Sequence, residues 1–111
     1  MPDKYDFYCE EVLSNKTTVN KLYESENVLA FYHTKPSYST HIVIIPKKHI
    51  IDLPSLADEE LIIINEMLKV ARDLSKNLDK NQGIKLITNM GKFQDTPHLH
   101  FHLITGEKLI K

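Results

Sequence analysis

The sequence predicts an α+β domain: a mainly antiparallel five-stranded sheet with one long helix and one short N-terminal helix. Three observations predict it. Short β-branched and aromatic runs alternate with turn residues, and one long apolar segment of helical period lies between them. The 111 residues give enough chain for one hydrophobic core and not two. Residues 1–111 are therefore expected to form a single domain.

Taken in order, Phe7 to Leu13 reads as one or two helical turns. Val19–Glu24 and Val28–His33 read as strands joined by a turn at Ser25-Glu26-Asn27. Thr34 to Ser39, with Pro36 and several hydroxyls, is a loop. His41-Ile42-Val43-Ile44-Ile45 is β-branched and apolar, as a buried strand should be, and Pro46 ends it. Asp58 to Lys80 is the clearest helix. Leu61, Ile64, Leu68, Ala71, Leu74 and Leu78 recur at three- and four-residue steps, and Asp58, Glu59 and Glu60 suit the positive end of the helix dipole. Ile62 and Ile63 widen its apolar surface, which suits either a subunit interface or a second core layer. Gly83 is a turn, Ile84–Thr88 a strand, Asn89–Thr96 a polar loop, and Pro97 opens the last strand, His98–Ile104.

The composition, 41% hydrophobic and 26% charged, is that of a folded protein rather than a disordered one. A net charge of −1 gives no global attraction to nucleic acid or to an anionic membrane, so any anion binding must be local. The single cysteine, Cys9, excludes an intrachain disulfide and fits a reducing, cytoplasmic setting. The first residues are polar and acidic, unlike a signal peptide, and no apolar run is long enough to span a bilayer.

The informative segment is His98-Leu99-His100-Phe101-His102-Leu103-Ile104. On a strand, alternate side chains share a face, so the three histidines line one side while Leu99, Phe101 and Leu103 face the core. At about 3.3 Å per residue, His98 and His102 stand about 13 Å apart. Metal–nitrogen bonds are about 2 Å, so the row cannot be one ion's ligand set, although two neighbours could share an ion. The row suits a site where one histidine does chemistry and its neighbours bind or orient.

This segment resembles the His-φ-His-φ-His-φ-φ motif of the histidine triad superfamily. Ser39 to Ile50, with Ile45-Pro46-Lys47-Lys48-His49, resembles the same family's other marker, and the spacing between the two also matches. Leu29-Ala30-Phe31, Asn89 and Gln94 extend the likeness over nearly the whole chain. The ending Leu103-Ile104-Thr105-Gly106-Glu107 is closer to the histidine triad nucleotide-binding branch than to the fragile histidine triad branch.

The resemblance implies a purine nucleotide ligand, a homodimer, and hydrolysis at the α-phosphorus of nucleoside phosphoramidates of the adenosine 5′-monophosphoramidate type, without a cofactor or catalytic metal. It implies that His100 is the nucleophile, forming a nucleotidyl-histidine. His102 would donate to the phosphate oxygens, with His98 and His41 as supports. Asn89, Gln94, Asp95, His33 and Thr34 would line the substrate site. Three departures stand out. The branch usually has an aspartate for the ribose hydroxyls where this chain has His33, which predicts weaker nucleotide binding. It usually has Ser or Thr where this chain has Asp95, whose charge repels a phosphate unless the side chain turns away. The loop from Asn89 to Gln94 is also about two residues shorter than usual, with Phe93 where glycine is common.

Some relatives hold a structural zinc through a Cys-x-x-Cys pair, the histidine of Pro-Lys-Lys-His and the first triad histidine. The pair here reads Asp6-Phe7-Tyr8-Cys9, so Asp6, Cys9, His49 and His98 are the corresponding set. A lost thiolate weakens it, and the expectation is no metal, a buried Cys9 thiol and a structural His49. Three other readings of this chain stay open: a dinucleoside polyphosphate hydrolase, a nucleotide-binding regulatory module with weak or no catalysis, and a metalloenzyme using one His-x-His pair.

Overall fold

The computed structural model describes residues 5–109. Its five strands lie in the order β1-β2-β3-β5-β4, every pair antiparallel. They are β1 (Lys21–Glu24), β2 (Val28–Tyr32), β3 (Tyr38–Pro46), β4 (Ile84–Ile87) and β5 (Phe101–Lys108). The expected turn between β1 and β2 forms because the Ser25 hydroxyl accepts the Asn27 and Val28 N–H groups, at 3.2 and 3.1 Å. The short N-terminal helix is a π-type turn, Tyr8–Val12. Gly83 turns the chain into β4 at φ +79°, a left-handed value that suits a residue without Cβ.

Several boundaries differ from expectation: β1 starts at Lys21 rather than Val19, β3 starts at Tyr38 inside the expected loop, and the last strand and the helix differ most. The last strand starts at Phe101, not His98, and runs past Ile104 to Lys108. The cause lies in its partner: the β3 ladder reaches Phe101 opposite Ile44, and β3 ends at Pro46. Beyond that point the extended chain finds other partners, with the Leu99 N–H donating to the Ile50 carbonyl at 2.6 Å. The helix is also shorter than Asp58–Lys80. Asp58–Glu60 forms a tight 3₁₀ turn, and α1 proper is Leu61–Ser75. Glu60 holds its start: one carboxylate oxygen accepts the Ala57 N–H at 2.8 Å and the other pairs with Lys48 at 2.7 Å. At its end the Ser75 hydroxyl donates back to the Arg72 carbonyl, and the next bonds tighten to three-residue steps.

Alternation gives the sheet two buried faces. On one, Val28, Ala30, Ile42, Ile44, Phe101 and Leu103 meet Met67, Val70 and Ala71 of α1. On the other, Leu29, Phe31, Val43 and Ile45 meet Tyr8 and Val12 of the N-terminal turn. The stripe of α1 that meets the sheet is centred on Met67 and Val70, with Ile63, Ile64, Leu74 and Leu78 at its margins. Leu61 and Leu68, expected in that stripe, are exposed instead, and Ile62 is 74% exposed. Ile63 packs against the core while Ile62 does not, so the two residues that widen the apolar surface take different environments. Among the described residues no helix is long and apolar enough to cross a membrane.

Candidate active site

The face opposite α1 gathers the histidines, and the sheet register explains how. Phe101 and Leu103 face the helix, so His102 between them faces away. His102 lies across from Val43, which puts His41 two residues along the neighbouring strand and within diagonal reach. The His33 N–H donates to the His41 carbonyl at 2.8 Å, which brings the end of β2 beside the same position. The ring centroids of His33 and His41 are 4.4 Å apart, those of His41 and His102 4.9 Å, and those of His100 and His102 4.7 Å.

Backbone partners then fix which ring nitrogen carries each proton. The Ser37 N–H points at His41 Nδ1, 3.0 Å away, so Nδ1 accepts and Nε2 bears the hydrogen. That Nε2–H donates to His102 Nδ1 at 2.8 Å, which leaves His102 with its proton on Nε2. For His100 the order is reversed. Its Nδ1 lies 2.7 Å from the His98 carbonyl, which only accepts, so Nδ1 bears the proton and Nε2 presents a lone pair. The neighbours are thus opposites: His100 presents an electron pair and His102 a donor. Burial, with His100, His41 and His33 nearby, pulls His102 down to about 3. Burial, with His33 and His100 beside it, pulls His41 down to about 4. Burial also lowers His100, against the opposing pull of its bond to His98. All three imidazoles are therefore neutral near pH 7.

Two residues with no motif of their own complete the setting of His100. The Thr88 hydroxyl donates to the His100 carbonyl at 2.9 Å. The buried Tyr8 ring packs edge-on against it, with centroids 5.0 Å apart. Tyr8 lies inside the Asp6–Cys9 segment, and an aromatic between two metal-ligand types was the one available signal. His100 itself is only 5% exposed. It sits between Tyr8, which lines one cavity of about 250 Å³, and His102, which lines another of about 450 Å³. The first also takes Phe7, Phe31 and Thr34; the second takes His41 and Asn89. His33, Lys35 and Asp95 border both. A larger cavity of about 790 Å³ beside Gly106 and Gln82 is lined by none of the six histidines.

The other expected residues divide accordingly. Asn89, Thr34, His33 and Asp95 line the cavities, and Asp95 is exposed at their rim. Gln94 lines neither; it is buried, and its side-chain amide donates to the Ile51 carbonyl at 2.6 Å. His33 accepts the Lys35 N–H on Nδ1 at 2.9 Å, so its neutral ring carries the proton on Nε2. Where the resemblance implies a carboxylate acceptor, this chain holds a donor.

Among the described residues, two groups bring three or more ligand atoms within 4.8 Å of one another. His33, His41 and His102 form one. It does not suit a metal, because backbone N–H groups occupy Nδ1 of His33 and His41 and leave their Nε2 protonated. Asp6, Cys9, His49 and His98 form the other. His98 is fully buried; its Nε2–H donates to the Pro46 carbonyl at 2.8 Å, and its Nδ1 faces Asp6 Oδ2 at 3.1 Å and Cys9 Sγ at 3.2 Å. His49, expected to be merely structural, places Nδ1 2.7 Å from the same Asp6 oxygen and 3.5 Å from Cys9 Sγ. Cys9, expected to be buried, is partly exposed. Burial works against the Asp6 carboxylate, but bonds from Cys9 and the neighbouring His98 hold it below the ordinary range.

Comparison with known proteins agrees with this architecture. A family model for the HIT domain matches residues 14–109. An uncharacterized HIT-like protein of Helicobacter pylori is 32% identical over 102 residues, covering 89% of this chain and 95% of that protein. The crystal structure of a HIT family hydrolase from Legionella pneumophila Philadelphia 1 superimposes with a TM-score of 0.82 at 27% identity, over 96% of each chain. A histidine triad nucleotide-binding protein from Candida albicans gives 0.78 at 26% identity, over 93% of this chain and 76% of that one. With the histidine row and the HIT domain match on one fold, this chain belongs to the histidine triad superfamily.

Proposed function

We propose that this protein hydrolyses purine nucleoside phosphoramidates in two displacements at the α-phosphorus, as the nucleotide-binding branch of the family implies. The observation that carries the reading is the opposed pair of tautomers on neighbouring triad residues. The His100 Nε2 lone pair attacks phosphorus and the P–N bond breaks, with the amine taking a proton from solvent as it leaves. Water then attacks the nucleotidyl-histidine, releasing the nucleoside monophosphate and restoring His100. The His102 Nε2–H donates to a phosphoryl oxygen as negative charge grows on it. His41, itself oriented by the Ser37 N–H, keeps His102 in the donating form. The cavity walled by Phe7, Tyr8 and Phe31 offers aromatic surface for a purine.

The reading carries with it a homodimer in the cytoplasm. Exposed Leu61, Ile62 and Leu68 on α1, with Leu86 on β4, supply apolar surface for a second copy. Quenching a reaction with an adenosine phosphoramidate and mapping the adduct by mass spectrometry tests the mechanism. An adenylyl group on His100 is expected; turnover with no adduct there, or with the adduct elsewhere, contradicts it.

A further inference from the structure

The proposed activity sets a charged phosphoryl group beside imidazoles that carry no charge. His41 and His102 share a hydrogen bond, and burial keeps both neutral near pH 7. Such donors can bond a phosphoryl oxygen, but a neutral donor does not balance its charge. Two side chains with a formal charge border both cavities, Lys35 and Asp95. Among the described residues, Lys35 is the one lysine or arginine in either lining and Asp95 the one carboxylate. The backbone fixes where Lys35 stands. It is the middle residue of the segment from His33 to Ser37, and both ends of that segment are bonded to His41. The His33 N–H donates to the His41 carbonyl at 2.8 Å and the Ser37 N–H to His41 Nδ1 at 3.0 Å. The Lys35 N–H is itself held by His33 Nδ1 at 2.9 Å, and Pro36 restricts the Lys35 backbone from the other side. An exposed cation is thus presented where the aromatic-walled cavity and the cavity lined by His102 meet.

Resting on the nucleotide reading above, we propose that Lys35 supplies the counter-charge for the nucleotide's phosphate and that Asp95 limits it, so that the site takes one phosphoryl group and not a polyphosphate. With the imidazoles neutral, one cation and one anion leave the two linings without net formal charge. A single phosphoryl group finds its match in Lys35. Each further phosphate adds negative charge that Lys35 cannot match and Asp95 repels. A polyphosphate therefore gains little from its extra groups. A phosphoramidate, whose leaving group is an amine, brings no surplus phosphate charge.

The test is calorimetric titration of the full chain with adenosine, AMP and ADP. The parent should bind AMP more tightly than adenosine, and ADP no more tightly than AMP. Lys35→Gln should weaken AMP binding roughly 3–10-fold, between the worth of an exposed ion pair and that of a hydrogen bond to a charged group. It should leave adenosine binding unchanged, while Lys35→Arg, which keeps the charge, should stay near the parent. Added salt should weaken AMP binding more in the parent than in Lys35→Gln. Asp95→Asn should tighten ADP binding more than AMP binding and leave adenosine unchanged. An AMP-to-adenosine ratio that Lys35→Gln does not move overturns the role of Lys35. A parent that prefers ADP to AMP, or an Asp95→Asn protein with the parent's ADP-to-AMP ratio, overturns the charge limit. A parent that binds neither adenosine nor AMP contradicts the nucleotide reading itself, so the two failures are told apart.

Discussion

Two clusters of histidine-rich side chains flank His100, and each brings its nitrogens within 4.8 Å. By composition the His33–His41–His102 group is the more conventional metal set. Hydrogen bonding argues against that set, because His33 and His41 already hold backbone N–H groups on Nδ1. What the far ring nitrogen meets decides the role of the near one. In His98 it meets a carbonyl, so Nε2 carries a proton while Nδ1 faces the Asp6 carboxylate and the Cys9 sulfur; in His33 and His41 Nδ1 accepts a backbone N–H, which leaves the proton on Nε2. One cluster sets imidazoles beside a carboxylate and a thiol and the other is made of hydrogen-bond donors, and the lesson is that residue type alone does not define a metal site.

The sharpest way to break this contrast is at His100, the proposed nucleophile, whose Nδ1 proton is held by the His98 carbonyl. His100→Ala should lower kcat by roughly 10³–10⁶-fold while the chain stays folded, as removal of a nucleophile does. Retained turnover would break the assignment. His102→Ala removes one transition-state donor and should cost about 10²–10³-fold in kcat. Next in size comes His41. His41→Leu loses the bond that fixes the His102 tautomer and should cost about 2- to 10-fold, near the 0.5–1.5 kcal/mol of one hydrogen bond. His41→Gln, which restores an N–H donor, should recover part of the loss; no recovery would show that His41 acts only by filling space.

Acid sharpens the contrast further. His41 and His102 titrate at about 4 and about 3 in the folded chain, below the ordinary 6.5 of an unfolded histidine. Between those values the unfolded chain binds more protons. Their contribution to stability is thus present above pH 6.5 and is lost as pH falls toward 4 and then 3. Urea midpoints should drop across that window, and His41→Leu should flatten the slope. The smallest effect is expected from Ile62→Lys on the exposed face of α1, which touches neither cluster: monomer stability within about 0.5 kcal/mol, with a fall in apparent mass by light scattering if that face joins two copies.

Much of this was legible in the sequence, in uneven parts. Period-two alternation placed His102 opposite Phe101 and Leu103, and the turn at Ser25 and the strand closing at Pro46 followed from their side-chain chemistry. Alternation alone starts the last strand three residues too early because it persists after a ladder ends; only the register with β3, whose last pair is Ile44 with Phe101, shows where pairing stops. The helical stripe was read off phase because Leu61 and Leu68 match the period as well as Met67 and Val70 do. The sheet position selects between them. Thr88 and Tyr8 carry no motif, and the proton positions depend on Ser37, Lys35 and Pro46, which act through backbone atoms that side-chain identity does not reveal.

The central claim concerns protons on nitrogen, and long-range ¹H–¹⁵N correlation of the histidine rings measures them directly at neutral pH. The geometry predicts that His100 is protonated on Nδ1 alone, whereas His41 and His102 are protonated on Nε2 alone. A His100 ring with its proton on Nε2, or a His102 ring with its proton on Nδ1, would contradict the account.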